Sequence, residues 1–433
     1  MLVLAHGVGE PEDLPISYTS AMVGGAWVLT FTFAVVFFAW RTPRFTADAP
    51  GRPLPPWLVT VIDSRPVRAG VAGVALLLTA WILLAAFFGP NTDENPFPGN
   101  VYVLLWVGMP VLSLLIGPIW RVVSPTRTIH TALHRRQADR YPHEWGYWPA
   151  AIGLFAFTWL ELASPSPDSV PVLRVWLLIY VVFMLAGGFI TGPLWFRRAD
   201  PFDTYSVVAS RLSPFRRNRA TGVPVAGNPM NTLLTMPVRP GTLAVLAVLL
   251  GSTAFDSFTE FPQWKSFADR DDATDVAAAS LALLGFVLIV ATTFWLAAQA
   301  TGGVDSRRRG ELPGKMAHSL IPIAVGYVLA HYASYLVDRG QDAVIALGDP
   351  LDRGWNVLWL RDIQPEHVFA EHPGLLAGTK VVFVLAGHII AVFAAHDRAL
   401  GLLPRAHQRT GQLAMMLTMV AYTFLGLYLL LGG

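Results

Sequence analysis

Four histidines stand where a chain can least afford ionisable groups. His318 and His331 lie in the apolar stretch 315–337, KMAHSLIPIAVGYVLAHYASYLV, and His388 and His396 in 381–400, VVFVLAGHIIAVFAAHDRAL. Imidazoles kept in hydrocarbon mark candidate sites for proton transfer or metal ligation. Tyr327, His331, Tyr335 and Asp338 recur at i, i+4, i+8 and i+11, offsets that place all four on one face of an uninterrupted helix. Asp256 and Glu161 sit near the outer ends of two other apolar runs, at a depth from which they can reach that face. His331 and Asp256, with His388 as a deeper ligand, could hold a divalent metal such as Zn, Mn or Cu. A bound metal would lower the pKa of its water toward about 7, and Tyr327 or Tyr335 would orient the oxygen of a substrate. His318 and His396, beside Lys315 and Asp397, form a second level at the cytoplasmic mouth. Taken together the four histidines are staggered in depth like members of a relay.

Other histidines read differently. A dihaem arrangement pairs histidines about fourteen apart on each of two helices. Here the separations are thirteen (318 to 331) and eight (388 to 396), and thirteen residues rotate by about 220°, so haem is not expected. His130 and His134 have the four-residue spacing of a helical chelate, but Arg127, Arg135 and Arg136 surround them, which favours a surface helix meeting anionic lipid. His367 and His372, in EHVFAEHP, read as solvated loop residues. His6 would bind copper only as a processed N-terminal residue; the preferred reading is a short acidic external tail carrying Glu10, Glu12 and Asp13.

The elements that must position these groups are set by composition. The chain has 433 residues, 54% hydrophobic and 14% charged, with a mean hydropathy of +0.48. Soluble domains carry roughly 25% charged residues, so this is an all-α, polytopic membrane protein. No cysteine is present, which removes disulfides, thiolate metal sites and covalently attached haem. Lysine is scarce among the 31 basic residues, a bias of GC-rich bacterial genomes, and the expected location is the inner (cytoplasmic) membrane.

Ten apolar spans are expected, at about 16–40, 67–88, 101–120, 146–162, 170–195, 240–255, 276–298, 316–337, 381–396 and 412–431. Alternating them puts both termini outside, most of the 31 basic residues inside and most of the 29 acidic residues outside. The chain reads as one integral membrane domain, with basic cytoplasmic loops at 121–147 and 196–239 and an external segment at 338–379. In that external segment AVIALG and GWNVLWL are too short to cross and read as interfacial or re-entrant helices. The lipid bilayer is the evident partner, an apolar small molecule and other membrane subunits are compatible ones, and no nucleic acid is expected.

Two loops repeat. GPIWRVVSPTRTIHTALHR (117–135) and GPLWFRRADPFDTYSVVASR (192–211) each combine a Gly-Pro-x-Trp exit with a Ser-Pro or Asp-Pro helix start. Each predicts a short amphipathic helix on the cytoplasmic interface, with Ile129 and Leu133 apolar in the first and Tyr205, Val208 and Ala209 in the second. A parallel duplication of spans two to three and four to five follows.

AHGVGEPEDLP (5–15), DPFDTYSVVASRLSPF (200–215), GSTAFDSF (251–258), LGDPLDRGW (347–355) and GH…AHDRAL (387–400) together resemble a family of bacterial polytopic membrane proteins often labelled fenitrothion hydrolase. The resemblance implies a membrane-bound phosphotriester hydrolase, and no catalytic motif of that family is assigned to particular residues. Three functional classes follow from the residues. A hydrolase would need a metal or base in the outer half of the bundle. A transporter or proton/metal relay would need a polar path through the histidines of spans eight and nine. A structural subunit of a membrane complex would need neither.

Overall fold

A computed structural model describes residues 17–92, 94–134, 138–267, 273–300, 303–408 and 410–431. The acidic tail with His6, Glu10, Glu12 and Asp13, and also Arg135 and Arg136, lie outside the described residues. In hydrocarbon every backbone N–H and C=O must be satisfied within the chain, so the apolar runs fold as helices. The principal ones are α1 (Tyr18–Ala39), α2 (Arg65–Phe88), α3 (Pro96–Ile116), α4 (Pro125–Leu133), α5 (Trp148–Leu162), α6 (Val170–Thr191) and α7 (Pro201–Ser210). They continue as α8 (Thr242–Thr259), α9 (Ala273–Gln299), α10 (Ser306–His331), α11 (Tyr335–Ala346), α12 (Pro373–Leu402) and α13 (Leu413–Leu431).

All ten apolar runs are helical, and the protein is a multi-pass, all-α membrane protein. Among the described residues eight helices are long and apolar enough to cross a bilayer, or nine if α10 and α11 make one broken span. The remaining run, α5, has 15 residues, or about 22 Å of helix against roughly 30 Å of hydrocarbon. A small antiparallel sheet was not foreseen: β1 (Arg52–Pro53), after the first span, joins β2 (Phe215–Arg217) and β3 (Pro224–Ala226) of the 196–239 loop in the order β1-β3-β2.

The chain forms two compact units. One comprises Pro50–Asn228 and Ser334–Ala370; the second comprises residues 17–49, Pro229–Ala333 and residues 371–431.

The first unit contains the repeat, and its contacts are reciprocal. Gly117 and Gly192 end α3 and α6 with φ of 100° and 94°, a conformation that glycine adopts without a Cβ clash. A short turn then presents Ser124 and Asp200, whose side chains accept the N–H of Arg127 and of Phe202 at the starts of α4 and α7. Helix α4 packs on α2, the first helix of its own copy, and on α6, the second helix of the other. Helix α7 packs on α5 and α3 in the same way. Ser206 hydrogen-bonds Ser113 at 2.7 Å. In the mirror contact His130 reaches within 3.2 Å of where a Cβ on Gly188 would stand. Arg127 and Asp203, which occupy equivalent positions three residues after each cap, pair with each other at 2.9 Å. Such reciprocity is the signature of a local two-fold.

The surface helices expected here are only half found. All ten residues of α7 are buried, because Asp203 is neutralised by Arg127 and approached by Arg121 at 3.6 Å. A polar helix can be buried when its charges are paired. In α4 the buried face is Thr126 and His130, whereas Leu133 is exposed.

In the second unit the later part of α10 is enclosed, buried from Leu320 to His331 except at Leu329. It meets α12 through glycine: a Cβ on Gly326 would lie 2.7 Å from the Phe383 carbonyl oxygen, and one on Gly387 would lie 2.5 Å from that of Pro322. Close backbone approach of this kind is how membrane helices gain packing energy. Helix α10 ends at His331, with Tyr332 turning out of helical geometry at φ −99° and ψ 17°. That break corrects the expected polar face. Tyr335 and Asp338 belong to α11 in the first unit, where Asp338 accepts the N–H groups of Phe369 and Ala370 at 3.3 and 3.1 Å.

Of the external segment, AVIALG lies within α11 and its continuation, and 357–362 forms a tight helical turn. There Leu358 and Trp359 adopt φ of 58° and 54°. Asp349 anchors this segment by accepting the N–H of Arg353, Gly354 and Trp355 and a bond from Arg361. Burial opposes ionisation of Asp349, but these four donors outweigh it and hold the carboxyl below its ordinary pKa.

Candidate functional site

The strongest polar constellation lies in the second unit, where the end of α8 meets the end of α10. Asp256 and Ser257 are consecutive on α8, so their side chains diverge by about 100° around the helix. They hold the two nitrogens of one imidazole between them. Ser257 Oγ lies 3.0 Å from His331 Nδ1, and Asp256 Oδ2 lies 2.9 Å from Nε2. The second contact is close, but its direction departs from that of a straight N–H···O bond.

Two tyrosines close the ends of the chain. Tyr327, one turn before His331, donates to Ser257 Oγ at 2.9 Å. Tyr332, just past the helix break, donates to Asp256 Oδ2 at 2.7 Å. The five groups therefore run in series as Tyr327, Ser257, His331, Asp256 and Tyr332, and none is more than 4% exposed. Ser257 accepts from Tyr327 and faces His331 Nδ1; when Ser257 donates its own proton there, the ring N–H is the one on Nε2, facing Asp256.

Close packing holds the arrangement. A Cβ on Gly251 would stand 2.7 Å from the Cα of Val287, so α8 lies directly on α9. On α13, Gly426 leaves room for the Tyr327 ring and for His388, at 3.3 and 3.9 Å from its Cβ position. His388 is 1% exposed and its Nδ1 faces the Val384 carbonyl at 2.8 Å. Lys380, on the same helix, is also 1% exposed.

The residues expected from spacing thus divide. Tyr327, His331 and Asp256 come together. Tyr335 does not join them: it lines a cleft of about 360 Å³ in the first unit, with Tyr102 and Arg339 among its neighbours. Glu161 also belongs to the first unit, where it is buried near enough to Tyr205 to act on it electrostatically. His318 and His396 are both buried within the protein. His396 is held at both nitrogens, by Gln412 Oε1 at 2.8 Å and the Trp40 carbonyl at 3.0 Å. His130 is a core aromatic packed on Phe189 and Phe196, and His367 lies 3.8 Å from Asp342.

A divalent metal does not fit this donor set. Among the described residues no three His, Asp or Glu side chains converge at ligating distance. His331 and Asp256 supply two ligands, and His331 already meets a partner at each nitrogen. Ser257 and Tyr332 were missed by spacing, although each stands next to a singled-out residue, in FDSF and AHYAS. The helix break that turns Tyr332 toward Asp256 leaves no periodic trace. No family model, no curated protein and no solved structure matches the chain.

Proposed function

We propose that the second unit carries protons within a bacterial inner membrane as part of a proton-coupled transport cycle, with Asp256 and His331 as its exchanging pair. The observation that carries this reading is the series of close polar contacts from Tyr327 to Tyr332. Four of its members, the two tyrosines, the serine and the histidine, both donate and accept, so a proton entering at one end can leave at the other by reversing each bond in turn. Buried chains of Asp, His and hydroxyl groups are the usual means of moving protons through apolar bundles. The test is proton entry into proteoliposomes, followed with an internal pH dye under an imposed potassium diffusion potential. Wild-type protein should acidify the vesicles, and Asp256→Asn and His331→Phe should each slow entry at least about ten-fold (about 1.4 kcal/mol in barrier). Wild-type vesicles no faster than empty ones would overturn the proposal.

A second reading rests on the order Asp256–His331–Ser257, which is that of an acid–base–nucleophile triad. It keeps the phosphotriester hydrolysis implied by the resemblance but assigns it to Ser257. Ser257 Oγ would attack phosphorus and pass its proton to His331 Nδ1, and the aryloxide would leave. The 2% exposure of Ser257 weighs against this order of events. A fluorophosphonate probe that labels wild-type protein but not Ser257→Ala would favour hydrolysis; no labelling would eliminate it.

A further inference from the structure

Four of the ten methionines in the chain line one small cavity in the second unit. Met415, Met416 and Met419 come from the start of α13, and Met316 from the point where α10 passes into the tight turn Ala317–Ser319. Met316, Met415 and Met419 are 3%, 3% and 1% exposed. The space open to a water-sized occupant is about 10 Å³, close to the volume that one such occupant needs. Water is poorly served there. Phe33, Val392 and Ala395 complete most of the wall, and the two polar side chains, His396 and Gln412, are bonded to each other and to the backbone.

Thioethers are soft, neutral donors that favour Cu(I) and its analogue Ag(I) over hard or borderline divalent ions. No carboxylate lines the cavity, so a divalent ion would be left with an uncompensated charge in a medium that penalises it steeply. A monovalent soft cation suffers less. The two nitrogens of His396 are directed at oxygen acceptors, so the ring serves as a wall rather than a ligand. We propose that Met316, Met415 and Met419, with Met416 as a fourth donor, form a binding site for one Cu(I) ion. Methionine also fills irregular core gaps for packing alone, and the experiment separates the two roles.

Full-length protein carrying His6→Ala, which removes the tail histidine from consideration, is titrated with Ag(I) and with Cu(I) against a chromophoric Cu(I) chelator. One equivalent of each should bind, Zn(II) should not, and X-ray absorption of the Cu(I) form should show a first shell of sulfur alone. The combined Met316→Leu, Met415→Leu and Met419→Leu variant conserves volume, and should lose at least about 100-fold in affinity with little change in thermal midpoint. Should it fail to fold, Met419→Leu alone should lose at least about ten-fold, whereas Met184→Leu in the first unit should lose nothing. No bound equivalent, a nitrogen first shell, or unchanged affinity in the methionine variants would each overturn the site.

Discussion

Each unit buries a polar knot, and the two are built from different kinds of group. In the first unit Asp200 accepts from Trp120 Nε1 at 2.8 Å, the Tyr180 hydroxyl at 3.2 Å and the Phe202 N–H at 3.0 Å, while Asp203 is held by Arg127. Apart from the tyrosine, these donors cannot accept a proton in return. In the second unit the corresponding partners of Asp256 are an imidazole and a phenol hydroxyl, which do both. Fixed donors pin a carboxylate in place. Groups that donate and accept let its proton travel. Burial and oxygen count are similar in the two knots, so what separates an anchor from the conduit proposed for the second unit is the reversibility of the partners.

The sharpest break in that comparison is removal of a fixed donor. Arg127→Ala would leave Asp203, which is fully buried, without its closest cation, the next being Arg121 at 3.6 Å. Chemical denaturation should show a loss of about 3 kcal/mol or more, with proton entry through the second unit unaffected once folded protein is selected. A loss below about 1 kcal/mol would mean that the pair is not an anchor.

Next in size is a pH effect confined to the first unit. Burial, and then the neighbouring charge of Asp203, push the Asp200 carboxyl from 3.8 up to about 6. The folded state therefore holds this proton more tightly than the unfolded chain. Its stabilising effect is complete below about pH 4 and is lost as pH rises through about 6, a change of about 3 kcal/mol at most. Asp200→Asn keeps a capping oxygen and removes the ionisation. Relative to wild type it should gain stability between pH 4 and 7 and then level off. A difference that stays constant across that range would refute the assignment.

Smaller effects distinguish positions along the series in the second unit. Tyr332→Phe removes a donor from Asp256, and Tyr327→Phe removes one from Ser257. Each should cost about 1 kcal/mol in denaturation, and both should slow proton entry, since either end of the chain is then closed. Ser257→Ala interrupts the middle for a similar loss of stability and should slow entry more than either tyrosine variant. If Ser257→Ala conducts as well as wild type, the path does not run through it.

The fold was largely legible because a bilayer leaves few options: apolar runs of sufficient length must become helices, and all ten did. The repeated Gly-Pro-x-Trp exits were equally readable, since a left-handed glycine and a capped proline turn are local events. What could not be read was tertiary. Offsets of four and eight from Tyr327 assume an unbroken helix, so they located His331 correctly and misplaced Tyr335, which lies past the break at Tyr332. Periodicity also marked α7 as amphipathic, because the neutralisation of Asp203 by an arginine 76 residues away has no expression in the pattern of α7 itself. Asp256 was found from its depth. Ser257 was not, because a serine in a helix carries no signal until its neighbours are known.

The salt bridge between Arg127 and Asp203 has one more implication. Equivalent positions that touch across a two-fold would, in a dimer of identical chains, present the same side chain to itself, and a charged residue there would repel its own copy. Opposite charges can meet at such a contact once the two halves are encoded separately, here within one chain, so that each can change without the other. The bridge therefore records the halves' loss of interchangeability. Neither could now pair with a second copy of itself without placing two arginines, or two aspartates, against each other at the centre.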